Sequence, residues 1–128
     1  MTRDELCKNH KYVEDAYPEH DDGWVEILDK AFNKIEYLFS LTGDDYGFKL
    51  LQIKEKFGVL VIYHMFLEDT PEYIRGIVDD ILNAAMRESK TTCEHCGSRS
   101  AQIRTDSGWM HTYCDECEIA YKKKNGWA

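Results

Sequence analysis

The stretch Cys93–Cys117 reads CEHCGSRSAQIRTDSGWMHTYCDEC and holds two Cys-x-x-Cys pairs, Cys93/Cys96 and Cys114/Cys117. A Cys-x-x-Cys turn brings two thiolates to one tetrahedral ion, and a second pair completes a four-sulfur shell. Soft thiolates in a compact tetrahedral arrangement suit Zn2+ best, with iron as the lesser option. The spacing therefore predicts one structural zinc per chain on Cys93, Cys96, Cys114 and Cys117. Two disulfides or free thiols are the alternative. A bridge inside a Cys-x-x-Cys turn is usually redox chemistry, however, and nothing in the sequence marks a secreted chain.

Around the ligands, Cys93-Glu-His-Cys96-Gly97 reads as a zinc knuckle, with Gly97 free to adopt the backbone that lets amides approach sulfur. Residues 101–104 and 109–113 predict a hairpin across the turn Thr105-Asp106-Ser107-Gly108. Cys114-Asp-Glu-Cys117 runs straight into Glu118-Ile-Ala-Tyr-Lys-Lys-Lys124, with acids first and lysines last, as a helix macrodipole favours. Knuckle, hairpin, then a second pair at a helix start is the order of a treble clef; a zinc ribbon would place that pair on another hairpin. His95 and His111 could substitute for a cysteine, but two complete pairs make that unnecessary.

Upstream, Asp21 or Asp22 caps a helix expected from about Gly23 to Leu41, with apolar positions Trp24, Ile27, Leu28, Ala31, Phe32, Ile35, Leu38 and Phe39 at helical spacing. Residues 48–56 and 59–66 read as strands joined at Lys56–Gly58. In the first, Leu51 and Ile53 are expected on one face and Gln52, Lys54 and Lys56 on the other. The second, Val59–Phe66, is apolar on both faces and needs cover on both: helices on one, and the zinc module, the N-terminal segment or a second copy in a homodimer on the other. A second helix is expected from Pro71, at its first helical position, to Ser89, with Asp79, Asp80 and Glu88 on its solvated side. No Gly/Ser linker separates that helix from Cys93, so the module is expected to be docked. The expectation is an α+β protein: a helix–β-hairpin–helix domain over residues 1–90 with a docked C-terminal treble-clef or zinc-ribbon-like module over 91–128.

The totals bound the partners. The chain has 128 residues and a net charge of −8. Residues 1–90 hold 19 acidic and 11 basic side chains, a difference of −8, while residues 91–128 hold five of each. Such a chain repels a phosphate backbone at long range, which disfavours nucleic acid as a partner. No apolar run approaches the roughly 20 residues that span a bilayer, and the start MTRDELCKNH is too polar for a signal peptide, so a cytoplasmic protein without membrane contact is expected. Cys7 and His10 lie three apart, but the four-ligand count is already filled, and Cys7 reads as a small buried side chain or a solvent-facing thiol.

Three functions fit these residues. A closed four-sulfur shell leaves no position for substrate, so the first is a non-catalytic interaction protein. P-loop, GxSxG, HExxH and dinucleotide fingerprints are absent, and the zinc deaminase pattern fails for want of its partner motif. The second is nucleic-acid binding through Arg99, Arg104, Lys122, Lys123 and Lys124 with the aromatics Trp109, Tyr113 and Trp127. The third is a site for a small anionic ligand, such as a nucleotide, or an active site on the Gln52/Lys54/Lys56 face with Arg75 or His64. Alternating cations also keep an exposed strand soluble, and His64 among apolar neighbours reads as a core histidine.

Asp21-Asp22-Gly23-Trp24, Gln52-Ile-Lys-Glu-Lys-Phe-Gly58, Thr92-Cys-Glu-His-Cys-Gly97 and Thr112-Tyr-Cys114 occur in an order that resembles a family of small uncharacterised bacteriophage and prophage proteins. The likeness spans residues 21–118. In that family the Lys-Glu-Lys-Phe-Gly turn is usually followed by Gly-Leu-Arg and an aromatic; here Val59-Leu-Val-Ile-Tyr63 follows. The fourth metal position there is often histidine, where this chain has Cys117. The resemblance implies a phage or mobile-element setting in a bacterial cell, in which small acidic proteins often bind and block host factors, defence systems included, with a host protein as the expected partner.

Overall fold

A computed structural model describes residues 1–126 of the chain. Trp127, one of the aromatics considered above, lies outside the described residues. The longest apolar stripe forms helix α2, Val25–Thr42, which buries Val25, Ile27, Leu28, Ala31, Phe32 and Ile35. A short 3-10 turn, Asp22–Trp24, leads into it, and the Asp21 carboxylate accepts the Asp22 N–H at 2.8 Å. The helix stops at Gly43, whose φ of 71° is the left-handed cap that a side chain resists.

Strands β1, Lys49–Lys56, and β2, Val59–Met65, pair antiparallel across a two-residue turn. Helix α3, Glu72–Ser89, packs on α2 and β2 and buries Ile74, Val78, Leu82 and Ala85. Pro71 is its cap rather than its first helical residue. Leu50, Ile53, Leu60 and Ile62 meet both helices in one core. Each side chain buried there contributes about 1.5–3 kcal/mol relative to exposure.

One strand face differs from expectation. The register slips between Leu50 and Gln52, a bulge at Leu51, so Leu50 rather than Leu51 shares the core face with Ile53. An extra residue on one strand reverses the alternation on one side of it. Leu51 is therefore 49% exposed. Gln52, Lys54 and Lys56 stand on the outer face as expected, opposite Tyr63, Val61 and Val59.

The N-terminal residues are structured. Helix α1, Arg3–Asn9, opens with a capping box in which Thr2 accepts the Glu5 N–H and Glu5 accepts the Thr2 N–H. It buries Leu6 and Cys7, and the following 3-10 turn Lys11–Ala16 buries Val13 and Ala16 beside β1. His10, 2% exposed, bonds Asp29 at 2.8 Å through Nε2 and Glu36 through Nδ1, tying this segment to α2. Glu19 then bridges to Lys54 in parallel along the free edge of β1.

Strands β3, Gln102–Arg104, and β4, His111–Tyr113, make a second antiparallel pair, followed by helix α4, Asp115–Lys124. The molecule is thus a mixed α+β protein with two small two-stranded sheets. The C-terminal part is seated by specific bonds. Trp24 Nε1–H donates to Thr92 O at 2.8 Å, and the Gly23 N–H donates to Glu94 O at 2.7 Å. Thr112 Oγ1 donates to Gly58 O at 2.6 Å, holding the β1–β2 turn. Glu88, expected on the solvated side of its helix, instead receives Lys30 of α2 at 2.6 Å and Arg99 at 2.8 Å.

Candidate metal centre

Four sulfurs converge. One ligand atom each from Cys93, Cys96, Cys114 and Cys117 lies within 4.8 Å of the others, and Cys96 Sγ is 3.7 Å from Cys114 Sγ. A regular tetrahedron with Zn–S bonds of about 2.3 Å has S···S edges of about 3.8 Å. The donor set and its spacing therefore fit a tetrahedral ion compatible with zinc. Among the described residues this is the one group of metal-ligating side chains so arranged.

Two local structures aim the thiols. In the knuckle, the Cys93 N–H donates to Ser98 O at 2.7 Å and the Gly97 N–H to Cys93 O at 2.9 Å, with Gly97 at φ 84°. In the second pair, Cys114 is the cap of α4 and Cys117 falls in its first turn, closed by Glu118 N–H to Cys114 O at 3.0 Å. The Cys117 amide and the neighbouring cysteines hold the Cys114 thiol below its ordinary value. Burial, and then the other three sulfurs, push Cys117 up. Four thiolates this close cannot all ionise without a cation, and a divalent ion removes that conflict.

The two histidines nearby are engaged elsewhere. His111 is fully buried; Nδ1 bonds Trp109 O at 2.8 Å and Nε2 bonds Glu118 Oε1 at 2.6 Å. This pair braces β4 against α4, and Trp109 stacks on the imidazole at 4.0 Å. His95 Nδ1 meets Asp21 Oδ2 at 2.7 Å, a further tie between knuckle and body. The His111–Glu118 brace was missed in the sequence; a histidine seven residues before a glutamate carries no signal until β4 and α4 are known to touch.

The structure separates the remaining candidates. Arg104 donates to Tyr113 O and to Asp115 at 2.7 Å, and Lys122 meets Asp106 at 2.7 Å, so both are engaged within the module. Lys123 and Lys124 are exposed on α4, and Trp109 is 39% exposed. Gln52 donates to Glu19 at 2.9 Å. Lys54 lies over the Tyr63 ring and Lys56 over Phe57. Arg75 is used by the carbonyls of Leu67, Glu68 and Thr70, and His64 pairs with Asp79 at 3.2 Å. Cys7 is buried in the main core and is not part of the four-cysteine cluster.

Among the described residues no helix is long and apolar enough to cross a membrane. Comparison with protein-family models, with curated proteins and with solved structures returned no match.

Proposed function

We propose that this chain is a zinc-stapled binding protein: one Zn2+ on Cys93, Cys96, Cys114 and Cys117, in a treble-clef arrangement, supports a surface that engages a macromolecule. The observation that carries this reading is the four-cysteine shell itself. Four protein thiolates fill a tetrahedral ion, so it has no vacant position with which to activate water or polarise a substrate. The knuckle is also packed into the start of α2 through Gly23 and Trp24, where a structural ion contributes folding free energy.

A host protein in the bacterial cytoplasm is the target we favour. The likeness to phage and prophage proteins supports that setting, and the acidic charge supports a protein over a nucleic acid. Engagement of Arg104 and Lys122 by Asp115 and Asp106 further weakens the nucleic-acid reading. The carboxylate of Glu19 already occupies Gln52, which takes that residue out of the small-anion site read from the sequence.

Two measurements test the proposal. Native mass spectrometry of protein prepared without chelator should find one zinc per chain; metal-free folded protein would overturn it. Capture from a bacterial lysate should recover a protein that resists nuclease treatment, whereas nuclease-sensitive recovery would favour nucleic acid.

A further inference from the structure

The outer face of the β1–β2 hairpin combines three features that the fold itself does not need. Val59, Val61, Tyr63 and Met65 stand on it, and Tyr63 and Met65 are 42% and 49% exposed. Lys54 and Lys56 alternate with them across the register. Phe57, at the tip, is 65% exposed and holds φ at 53°. Phe57 and Gly58 both have positive φ, the backbone of a tight hairpin turn that normally takes Asn-Gly. An exposed phenylalanine in the left-handed region costs about 1–2 kcal/mol with no core contact to offset it.

Charge says what would cover this face. The chain carries −8, and five of its other cations, Arg3, Lys30, Arg99, Arg104 and Lys122, are taken by carboxylates. Among the described residues, no carboxylate is in ion-pair range of Lys49, Lys54 or Lys56. An acidic protein thus keeps two lysines without a carboxylate partner beside half-buried valines and the exposed Tyr63, Met65 and Phe57. The module also fixes the tip: Thr112 holds Gly58 O, and Ile103, itself 45% exposed, lies against Gly58.

We propose that this face, from Tyr63 to the Phe57 tip and Ile103, docks an acidic peptide segment of a partner protein, with carboxylates on Lys54 and Lys56 and apolar side chains on Val59, Val61 and Phe57. This rests on the binding-protein reading above and names its surface. Single-stranded nucleic acid fits less well, because the row is mostly aliphatic and a base needs aromatic platforms.

The test is selection of a random peptide library on the zinc-loaded full chain, with the winners titrated by fluorescence anisotropy. The winners should be rich in Asp and Glu interleaved with apolar residues. Lys54→Glu/Lys56→Glu, and separately Phe57→Asn, should each weaken them by at least about tenfold, the size of a hot spot. Asn tolerates the left-handed turn, so Phe57→Asn keeps the fold while removing the ring. Lys123→Glu/Lys124→Glu on α4 should leave binding unchanged. Winners without acidic enrichment, or winners indifferent to the hairpin variants, would overturn the proposal. So would an oligothymidylate that displaces them from this face, or a dimer by light scattering that Phe57→Asn dissolves. If a captured host protein still binds the hairpin variants, this surface is wrong while the binding-protein reading stands; if the chain proves metal-free, that reading fails first.

Discussion

Gly23 lies directly against the backbone of Cys93: a Cβ at position 23 would sit 2.2 Å from Cys93 O and 2.3 Å from Glu94 O. The entry to α2 and the first cysteine of the cluster are therefore packed backbone to backbone. Neither partner is a flexible side chain that could turn aside. Gly23→Ala should cost roughly 3 kcal/mol, the upper end of overpacking, and weaken zinc retention in the same variant. Urea unfolding and a competitive chelator titration check it; an unchanged midpoint would show that the seam opens freely.

Removal of the metal should unfold the C-terminal part first. Its own buried cluster is small, Cys93, Ala101 and Cys114, whereas the body is built around Trp24, Phe32, Leu60 and Leu82. A strong chelator, or Cys114→Ser, should therefore abolish amide protection in β3, β4 and α4 while the centres of α2 and α3 stay protected. Hydrogen exchange reads both regions at once, and uniform loss would mean that the body cannot stand without its staple.

Stability should fall on mild acidification, and His20 is one cause. Nδ1–H donates to Asp21 O at 2.7 Å, while the buried Nε2 has no partner among the described residues. Burial holds this imidazole below its ordinary value of 6.5. The unfolded chain takes up a proton near pH 6.5 where the native chain resists it, so the unfolded state binds more protons and stability drops with pH. The contribution is complete above about 6.5 and is lost on the way down to the lower native value. His64, lowered chiefly by burial against the pull of Asp79, acts with the same sign. His20→Gln should flatten the dependence between about pH 7.5 and 5.5, measured by urea midpoints in excess zinc; equal slopes would reject the assignment.

The adjacent turn residues should respond with opposite signs. Phe57→Asn relieves a left-handed phenylalanine and should stabilise by about 1 kcal/mol. Gly58→Ala should destabilise by at least about 1 kcal/mol, because φ is +83° and a new Cβ would lie 3.1 Å from the Ile103 side chain. Thermal melts of the two variants check the pair. A stabilised Phe57→Asn that also loses its peptides would separate the roles of this residue in binding and in folding.

The sequence was most readable where period and chemistry repeat. The stripes of α2 and α3, the hairpin across Phe57-Gly58 and the four thiols all follow from spacing. Leu51 did not, because a bulge has no composition of its own; it shows only when the register of both strands is known. The signal for α1 was present in Thr2-x-x-Glu5, but the acidic character of the segment hid it. Arg104, Lys122 and Glu88 read as surface charges because their partners, Asp115, Asp106, Lys30 and Arg99, come from other elements. Pairing across elements is a property of the folded shape, and no local pattern announces it.

The sulfurs come from one short stretch, but the bonds that seat them reach back 73 residues to Asp21 and 68 to Trp24. Gly23 and Trp24, at the entry to α2, precede in the chain the Thr92 and Glu94 carbonyls that receive the Trp24 indole and the Gly23 amide. The metal-binding stretch can close on its ion locally, in any order relative to the body. Its final seat is a long-range event that waits for α2. Seating the four-cysteine stretch on the body is therefore a long-range event, separate from the local convergence of its own sulfurs.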